Sequence, residues 1–225
     1  HGSHNIDRWT DPSTGKLTQE ARLRIPQACA NCHSEIYAKY SESVHGSALY
    51  DENNTDVPTC IDCHGVHNIE DPTTAEFRLA SPKTCAECHT DSEIMQKYGL
   101  STDVLDTYVA DFHGTTTTLF DPDNPYEQAN KPVCYDCHGV HNISATDDPE
   151  TGLEVKQNLL AACQRCHPDA SDNFPSSWMS HYIASPTRFP LVFYVTWFYR
   201  LFVPGVLGVM GIIVLTDVLR KVGIT

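Results

Sequence analysis

Apolar residues are spread unevenly along this chain. From Phe189 to Thr216 the only charge is Arg200, and Leu201 to Leu219 carries one charge, Asp217. At a helical rise that second stretch is about 28 Å long, which matches a bilayer core. Phe193, Tyr194, Trp197, Phe198 and Tyr199 stand before it as an aromatic belt, with Arg200 at headgroup level. The pattern predicts an interfacial segment over 188–200, a membrane-spanning helix over 201–219 and a short tail over 220–225, where Arg220 and Lys221 mark the cytoplasmic side. A buried core helix fits neither this length nor these flanks.

The preceding residues alternate short apolar stretches with turn signals. A polar arm over 5–25 holds the turn Asp11-Pro12-Ser13-Thr14-Gly15. A helix is expected from Pro26 to about Tyr40, with Cys29, Cys32 and His33 on its first turns, ending near Ser43-Val44-His45-Gly46. Further helices are expected from Ser81-Pro82, from Ser101 to Phe112 and from Leu153 to His167. The acidic loops between them lack calcium-loop spacing and read as solvated turns. With Pro 14, Gly 12 and 40% hydrophobic residues in 225, the expectation is a mainly α chain with much irregular structure and a thin core. Something besides side-chain packing must hold it together.

The ten cysteines supply the answer. They fall in five identical pairs, Cys29/Cys32, Cys60/Cys63, Cys85/Cys88, Cys134/Cys137 and Cys163/Cys166, each followed at once by a histidine: His33, His64, His89, His138 or His167. A disulfide framework gives no reason for this spacing, and paired zinc knuckles use five pairs unevenly and leave the adjacent histidine unexplained. A thioredoxin-like redox motif occurs once, at a helix start. C-x-x-C-H is instead the spacing at which two thiols reach both vinyl groups of one porphyrin while the next imidazole reaches the iron. Five covalently attached haem c groups are expected, and the cofactors themselves form the core.

Two of the motifs belong to a longer phrase, Cys60-Ile61-Asp62-Cys63-His64-Gly65-Val66-His67-Asn68-Ile69 and Cys134-Tyr135-Asp136-Cys137-His138-Gly139-Val140-His141-Asn142-Ile143. Each phrase is followed by a plain C-x-x-C-H and then by a lone histidine, His113 or His181, and the first part of the chain ends the same way, with Cys29/Cys32 and His45. Three repeats follow, at about 1–50, 51–115 and 116–182, together a multihaem domain over 1–187 built from two-haem repeats. The opening His1-Gly2-Ser3-His4-Asn5-Ile6 matches His64 to Ile69 at five of six positions. A cloning remnant explains His-Gly-Ser-His but not Asn5-Ile6. The expectation is that His1 is the proximal ligand of a sixth haem whose cysteines lie upstream.

Twelve histidines then divide without remainder. Six are proximal (His1, His33, His64, His89, His138, His167) and six are available to the opposite faces (His4, His45, His67, His113, His141, His181). Bis-histidine ligation is the leading account, with Met179 as an alternative distal ligand near His181. In the phrase, the second histidine follows the first by three residues, too near to wrap the same porphyrin, so it is expected to ligate a neighbouring haem.

The net charge is -14, and residues 1–187 carry 28 acids against 11 bases. This argues against nucleic acid and fits a soluble or extracellular redox partner with a basic face, as well as plain solubility. Gly205, Gly208 and Gly211 form a strip on which another membrane helix packs closely, or reflect ordinary glycine tolerance in membrane helices.

With these motifs in view, the chain resembles membrane-anchored multihaem c-type cytochromes of bacterial and archaeal respiration, of the tetrahaem-cytochrome and quinol-dehydrogenase-anchor kind, over residues 1–181. The C-terminal anchor is similar to that of a cytochrome c subunit docked on a cytochrome b-like or other quinone-reactive membrane protein. The resemblance implies electron transfer between that partner and an acceptor outside the cytoplasm, with haems on the periplasmic side and the C-terminus inside. The alternatives are a multihaem oxidoreductase of the nitrite, sulfite or hydroxylamine type, which needs an iron with an open position, and a subunit of an extracellular cytochrome wire.

Overall fold

In the computed structural model, which describes residues 8–118, 131–177, 181 and 183–223, regular structure is helical, with no strand among the described residues. A lone bridge between Thr10 and Leu17 closes the turn around Asp11. The chain divides into two units, His1–His181 and Tyr182–Thr225. His1, His4 and Met179 lie outside the described residues.

The first unit starts with α1 (Gln19–Ala30) and α2 (Ser34–Ser41). Pro26 does not open a helix as expected but lies inside α1, which begins at the Thr18 cap, where the hydroxyl accepts the Ala21 N–H at 3.1 Å. The later helix α5 (Ala75–His89) repeats this arrangement: Thr74 caps it and Pro82 lies inside it. In both, the threonine cap wins over the first-turn preference of proline. Both prolines also fall eight residues after their caps, and a C-x-x-C-H motif begins in the last turn of each helix.

The first motif corrects a second expectation. Cys32 and His33 do not ride on one helix running to Tyr40, because α1 stops at Ala30 and α2 starts afresh at Ser34. Cys29 remains on α1, while Cys32 lies in the turn between the helices, its N–H donating to Cys29 O at 3.1 Å. Earlier capping shifts the whole helix upstream, and the motif that was expected at its start falls at its end.

The lone histidines were expected at helix ends, and the structure places them at helix starts. His45 is the second residue of α3 (Val44–Asp51), and His113 is the second residue of α8 (Phe112–Thr118), which follows α7 (Val104–Ala110). Ser43 ends one helix and begins the next, because its hydroxyl donates to Tyr40 O at 2.6 Å and accepts the Gly46 N–H at 3.1 Å. At Gly46 and Gly114 an added Cβ would overlap the carbonyls of Tyr40 and Tyr108, so only glycine lets the two helices meet this closely.

The two phrases form single turns, α4 (Cys60–His64) and α9 (Cys134–His138). Asp62 and Asp136 accept the N–H of Thr59 and Val133, each at 2.6 Å, and Gly65 and Gly139 leave the turns at φ 75 and 83, in the left-handed region that favours glycine. Two further helices, α6 (Ser92–Met95) and α10 (Lys156–Gln164), complete the unit. α10 is shorter than the helix expected over Leu153 to His167, and it has no side-chain cap. It holds Cys163 but ends before Cys166, as α1 ends before Cys32.

Side-chain packing is sparse. The buried apolar residues among those described are Ala21, Ile25, Tyr40, Leu49, Ala86, Met95, Tyr108, Val133 and Ala170, too few to form one continuous core for a unit of this length.

The second unit is α11 (Pro190–Val222), one helix of 33 residues with mean hydropathy 2.2 over its most apolar window, long and apolar enough to cross a membrane. The aromatic belt and the predicted span lie on this one continuous helix, not on two separate segments. Arg200 lies over the Trp197 ring at 5.6 Å, and Gly223 ends the helix at φ 77.

Candidate functional site

Four pairs of histidine rings face each other in the first unit. His45 and His89 have ring centroids 6.3 Å apart, His64 and His141 6.1 Å, His113 and His167 6.4 Å, and His138 and His181 6.2 Å. Each pair joins the histidine of one C-x-x-C-H turn to one of the histidines assigned to an opposite face. Two imidazoles on opposite sides of one metal ion, each nitrogen about 2.0 Å from the ion, have ring centres about 6.3 Å apart. All four pairs take that separation, although the partners come from distant parts of the chain.

The pairing follows a rule set by the repeats. The lone histidine of one repeat meets the plain motif of the next, as His45 meets His89 and His113 meets His167. The second histidine of the third phrase reaches back to the first histidine of the phrase before it, His141 to His64. His181 instead pairs with His138 inside its own repeat, at φ 55.

Burial favours the neutral, ligating form of these rings. It lowers the pKa of His45 to about 4, with the His89 ring adding to the effect, and that of His138 to about 4, with His181 and His89 adding. Burial also lowers His64, His89, His141 and His181. The outer nitrogens are oriented: His113 Nδ1 is 3.6 Å from Asp111 Oδ2, and His181 Nδ1 is 3.5 Å from Thr107 Oγ1.

All ten cysteines are free thiols. Cys29 lies near Cys60, Cys63 near Cys85 and Cys88, Cys85 near Cys134, and Cys137 near Cys163 and Cys166, so the turns neighbour one another in chain order, in a row. Burial pushes Cys60 up to about 12 and Cys137 up to about 11, the opposite of the depressed pKa that a reactive thiolate needs.

The ten are not equally enclosed, although the sequence pattern treats them as equivalent. Cys32, Cys63 and Cys166, each the second cysteine of its motif, are exposed, and the other seven are half-buried. Like Cys166, Cys32 lies beyond the helix that holds the first cysteine of its motif, while Cys29 stays on α1 close to Cys60.

Among the described residues no three His, Cys, Asp or Glu side chains converge as in a metal cage made of protein alone. Each histidine pair by itself brings two imidazole rings together. Of the other four histidines, His33 lies beside His64, His67 is exposed, and His1 and His4 fall outside the described residues. Exposed apolar residues gather at the paired rings: Val44 precedes His45, Phe112 precedes His113, Val66 and Val140 lie inside the phrases, and Phe174 is 5.2 Å from the His167 ring.

Residues not singled out by sequence reasoning hold the turns in place. Arg22 Nη2 donates to Val57 O at 2.8 Å and to Asp62 Oδ2 at 3.1 Å. Arg78 makes the same contacts one repeat later, to Lys131 O at 3.1 Å and Asp136 Oδ2 at 2.6 Å, with a second bond to Asp136 Oδ1 at 2.9 Å. Tyr40 donates to Pro58 O at 2.8 Å and Tyr108 to Pro132 O at 2.9 Å. The signal was present in the sequence: each arginine stands four residues before the helix proline, and each tyrosine five before a lone histidine.

Compared with protein families, curated proteins and solved structures, the chain matches none.

Proposed function

We propose that the chain is a membrane-anchored multihaem c-type cytochrome that relays electrons between a quinone-reactive membrane partner and an acceptor outside the cytoplasm. The observation that carries this reading is the set of four histidine pairs at 6.1 to 6.4 Å, each containing the histidine of a C-x-x-C-H turn. Bound haem would supply reversible one-electron chemistry at iron.

The chain's residues would do the rest. Each cysteine pair holds one porphyrin edge, and the paired imidazoles fill both axial positions, which leaves no open coordination site at those four centres and favours a carrier over a catalyst. The exposed valines and phenylalanines around the rings would exclude water from the porphyrin faces. The row of turns from Cys29 to Cys166 would keep neighbouring cofactors close enough for electrons to pass without large motion. His33, with Cys29 and the exposed Cys32, completes the set of five haem-bearing turns.

Haem c is attached outside the cytoplasm, so the first unit belongs on that side, with Arg220 and Lys221 inside. The strip Gly205, Gly208 and Gly211, where an added Cβ would meet nothing within 4 Å, would take a helix of a cytochrome b-like partner.

The test is a haem assay with EPR on protein purified gently from membranes. Covalent haem at five or more per chain with low-spin bis-imidazole signals is expected. Absence of covalent haem, or a dominant high-spin five-coordinate signal, refutes the carrier reading.

A further inference from the structure

We propose that Tyr40 and Tyr108 are positioning residues whose hydroxyls bolt the turn carrying a lone histidine to the attachment turn of the next repeat, fixing that histidine as an axial ligand across the repeat boundary. The inference rests on the haem reading above and deepens it.

Three observations converge. Both tyrosines are buried, at 9% exposure, and donate to the carbonyl two residues before the first cysteine of the next phrase, Pro58 O at 2.8 Å and Pro132 O at 2.9 Å. The backbone carbonyl of each same tyrosine is pressed against the glycine that follows the lone histidine, Gly46 or Gly114. One residue thus touches the histidine's helix through its main chain and the neighbouring attachment turn through its side chain. Arg22 and Arg78 add a second bolt to the carbonyl one residue earlier, Val57 O or Lys131 O.

The third repeat is the contrast. Counting from its lone histidine, His181, Ser176 stands at the tyrosine position and Tyr182 at the glycine position; counting seven residues back from Cys163, as Arg22 stands to Cys29 and Arg78 to Cys85, Lys156 occupies the arginine position. His181 does not cross to another repeat but pairs with His138 inside its own. Among the three lone histidines, the tyrosine is present before the two that cross and missing before the one that does not. Burial raises both phenols above their usual range, so each remains a protonated donor.

A crossing imidazole leaves its iron when its helix drifts from the next repeat; the bolt is made to that repeat's phrase turn and not to the plain motif at His89 or His167, and it opposes the drift by holding the two repeats together. Removing one hydroxyl while keeping the ring should raise the fraction of time the His113 or His45 position is open by about fivefold, as expected for the loss of one buried hydrogen bond.

The experiment measures carbon monoxide binding by the reduced full-length protein in detergent, for the parent, Tyr40→Phe, Tyr108→Phe and the control Tyr98→Phe, with His113→Gly as the reference for an open site. The expected result is about fivefold faster binding at one haem per chain in Tyr108→Phe and in Tyr40→Phe, at two haems in the double variant, and no change in Tyr98→Phe. A Tyr108→Phe protein with full haem content and the parent rate overturns the inference. Uptake by many haems at once also overturns it, because that reports general loosening. A parent without covalent haem overturns this inference and the function together, whereas a haem-loaded parent with unresponsive variants overturns the positioning role alone.

Discussion

Asp136 holds the turn of the second phrase, α9, from two sides. Its Oδ2 caps the turn at the Val133 N–H (2.6 Å) and accepts Arg78 Nη2 (2.6 Å), and its Oδ1 accepts Arg78 Nη1 (2.9 Å). Arg78 in turn reaches Lys131 O and lies over the Tyr135 ring at 5.5 Å. Asp136→Ala deletes the cap, a loss of about 1 kcal/mol. It also leaves a guanidinium that is 24% exposed without its counter-charge. Charged hydrogen bonds contribute about 1.5–3 kcal/mol, and partial solvent access moves this pair to the lower end of that range. The expected destabilisation is about 2.5 kcal/mol. Asp136→Asn, which keeps an acceptor for Val133, should cost about 1.5 kcal/mol. Asp62→Ala should cost somewhat less than Asp136→Ala, because Asp62 is 33% exposed and meets Arg22 through one bond at 3.1 Å. The assay is denaturant unfolding of the full chain in detergent followed by far-UV circular dichroism, with a double-mutant cycle adding Arg78→Met. A coupling energy of about 1–1.5 kcal/mol is expected, only weakly reduced between about 0.15 M and about 1 M salt. An Asp136→Ala protein within about 0.5 kcal/mol of the parent refutes the reasoning.

Other outcomes follow from the same structure. Gly114→Ala forces a Cβ into the Tyr108 carbonyl and should cost about 2 kcal/mol while opening the His113–His167 pair, read as a high-spin EPR signal, whereas Gly205→Ala meets nothing and should leave both unchanged. Lys97 and Tyr98 hold the Asp56 carboxyl below its usual range, so their stabilisation is present above the ordinary carboxylate pKa and lost as pH falls through the lowered one. Lys97→Met should therefore lower the unfolding midpoint slightly at neutral pH and not at all in strong acid. Val209→Arg places a charge near the middle of α11, at a cost of about 2.5–3.5 kcal/mol for insertion, and should move part of the chain into the alkaline-carbonate supernatant that the parent does not enter.

Much of this molecule is written in local spacing. A cysteine pair and the histidine after it are placed by three or four bonds of chain geometry, so the five turns, the repeat and the long apolar helix were readable without tertiary information. Helix starts were less so. Pro26 and Pro82 looked like first-turn residues, but Thr18 and Thr74 cap the helices eight residues earlier, which puts Arg22 and Arg78 on helices that reach the next repeat. The same shift leaves Cys32 beyond the end of α1 and exposed, a difference from Cys29 that the motif's spacing does not reveal.

The histidines divide along the same line. The sequence leads to the expectation of two sets of six and of a second histidine in each phrase that serves a neighbour, and the structure pairs four members of one set with four of the other. Which rings meet is a property of the tertiary structure. His64 finds His141 and His45 finds His89 because Arg22, Tyr40, Arg78 and Tyr108 lock each repeat onto the next through backbone carbonyls, acceptors that every residue carries and that no side-chain pattern announces. His181 pairs with His138 within the third repeat, which has neither the tyrosine nor the glycine of the earlier two. The five C-x-x-C-H motifs and their spacing were legible in the sequence by itself, since they depend on neighbours along the chain. The pairing across repeats was decided only by the packing of helices on attachment turns, which depends on neighbours in space.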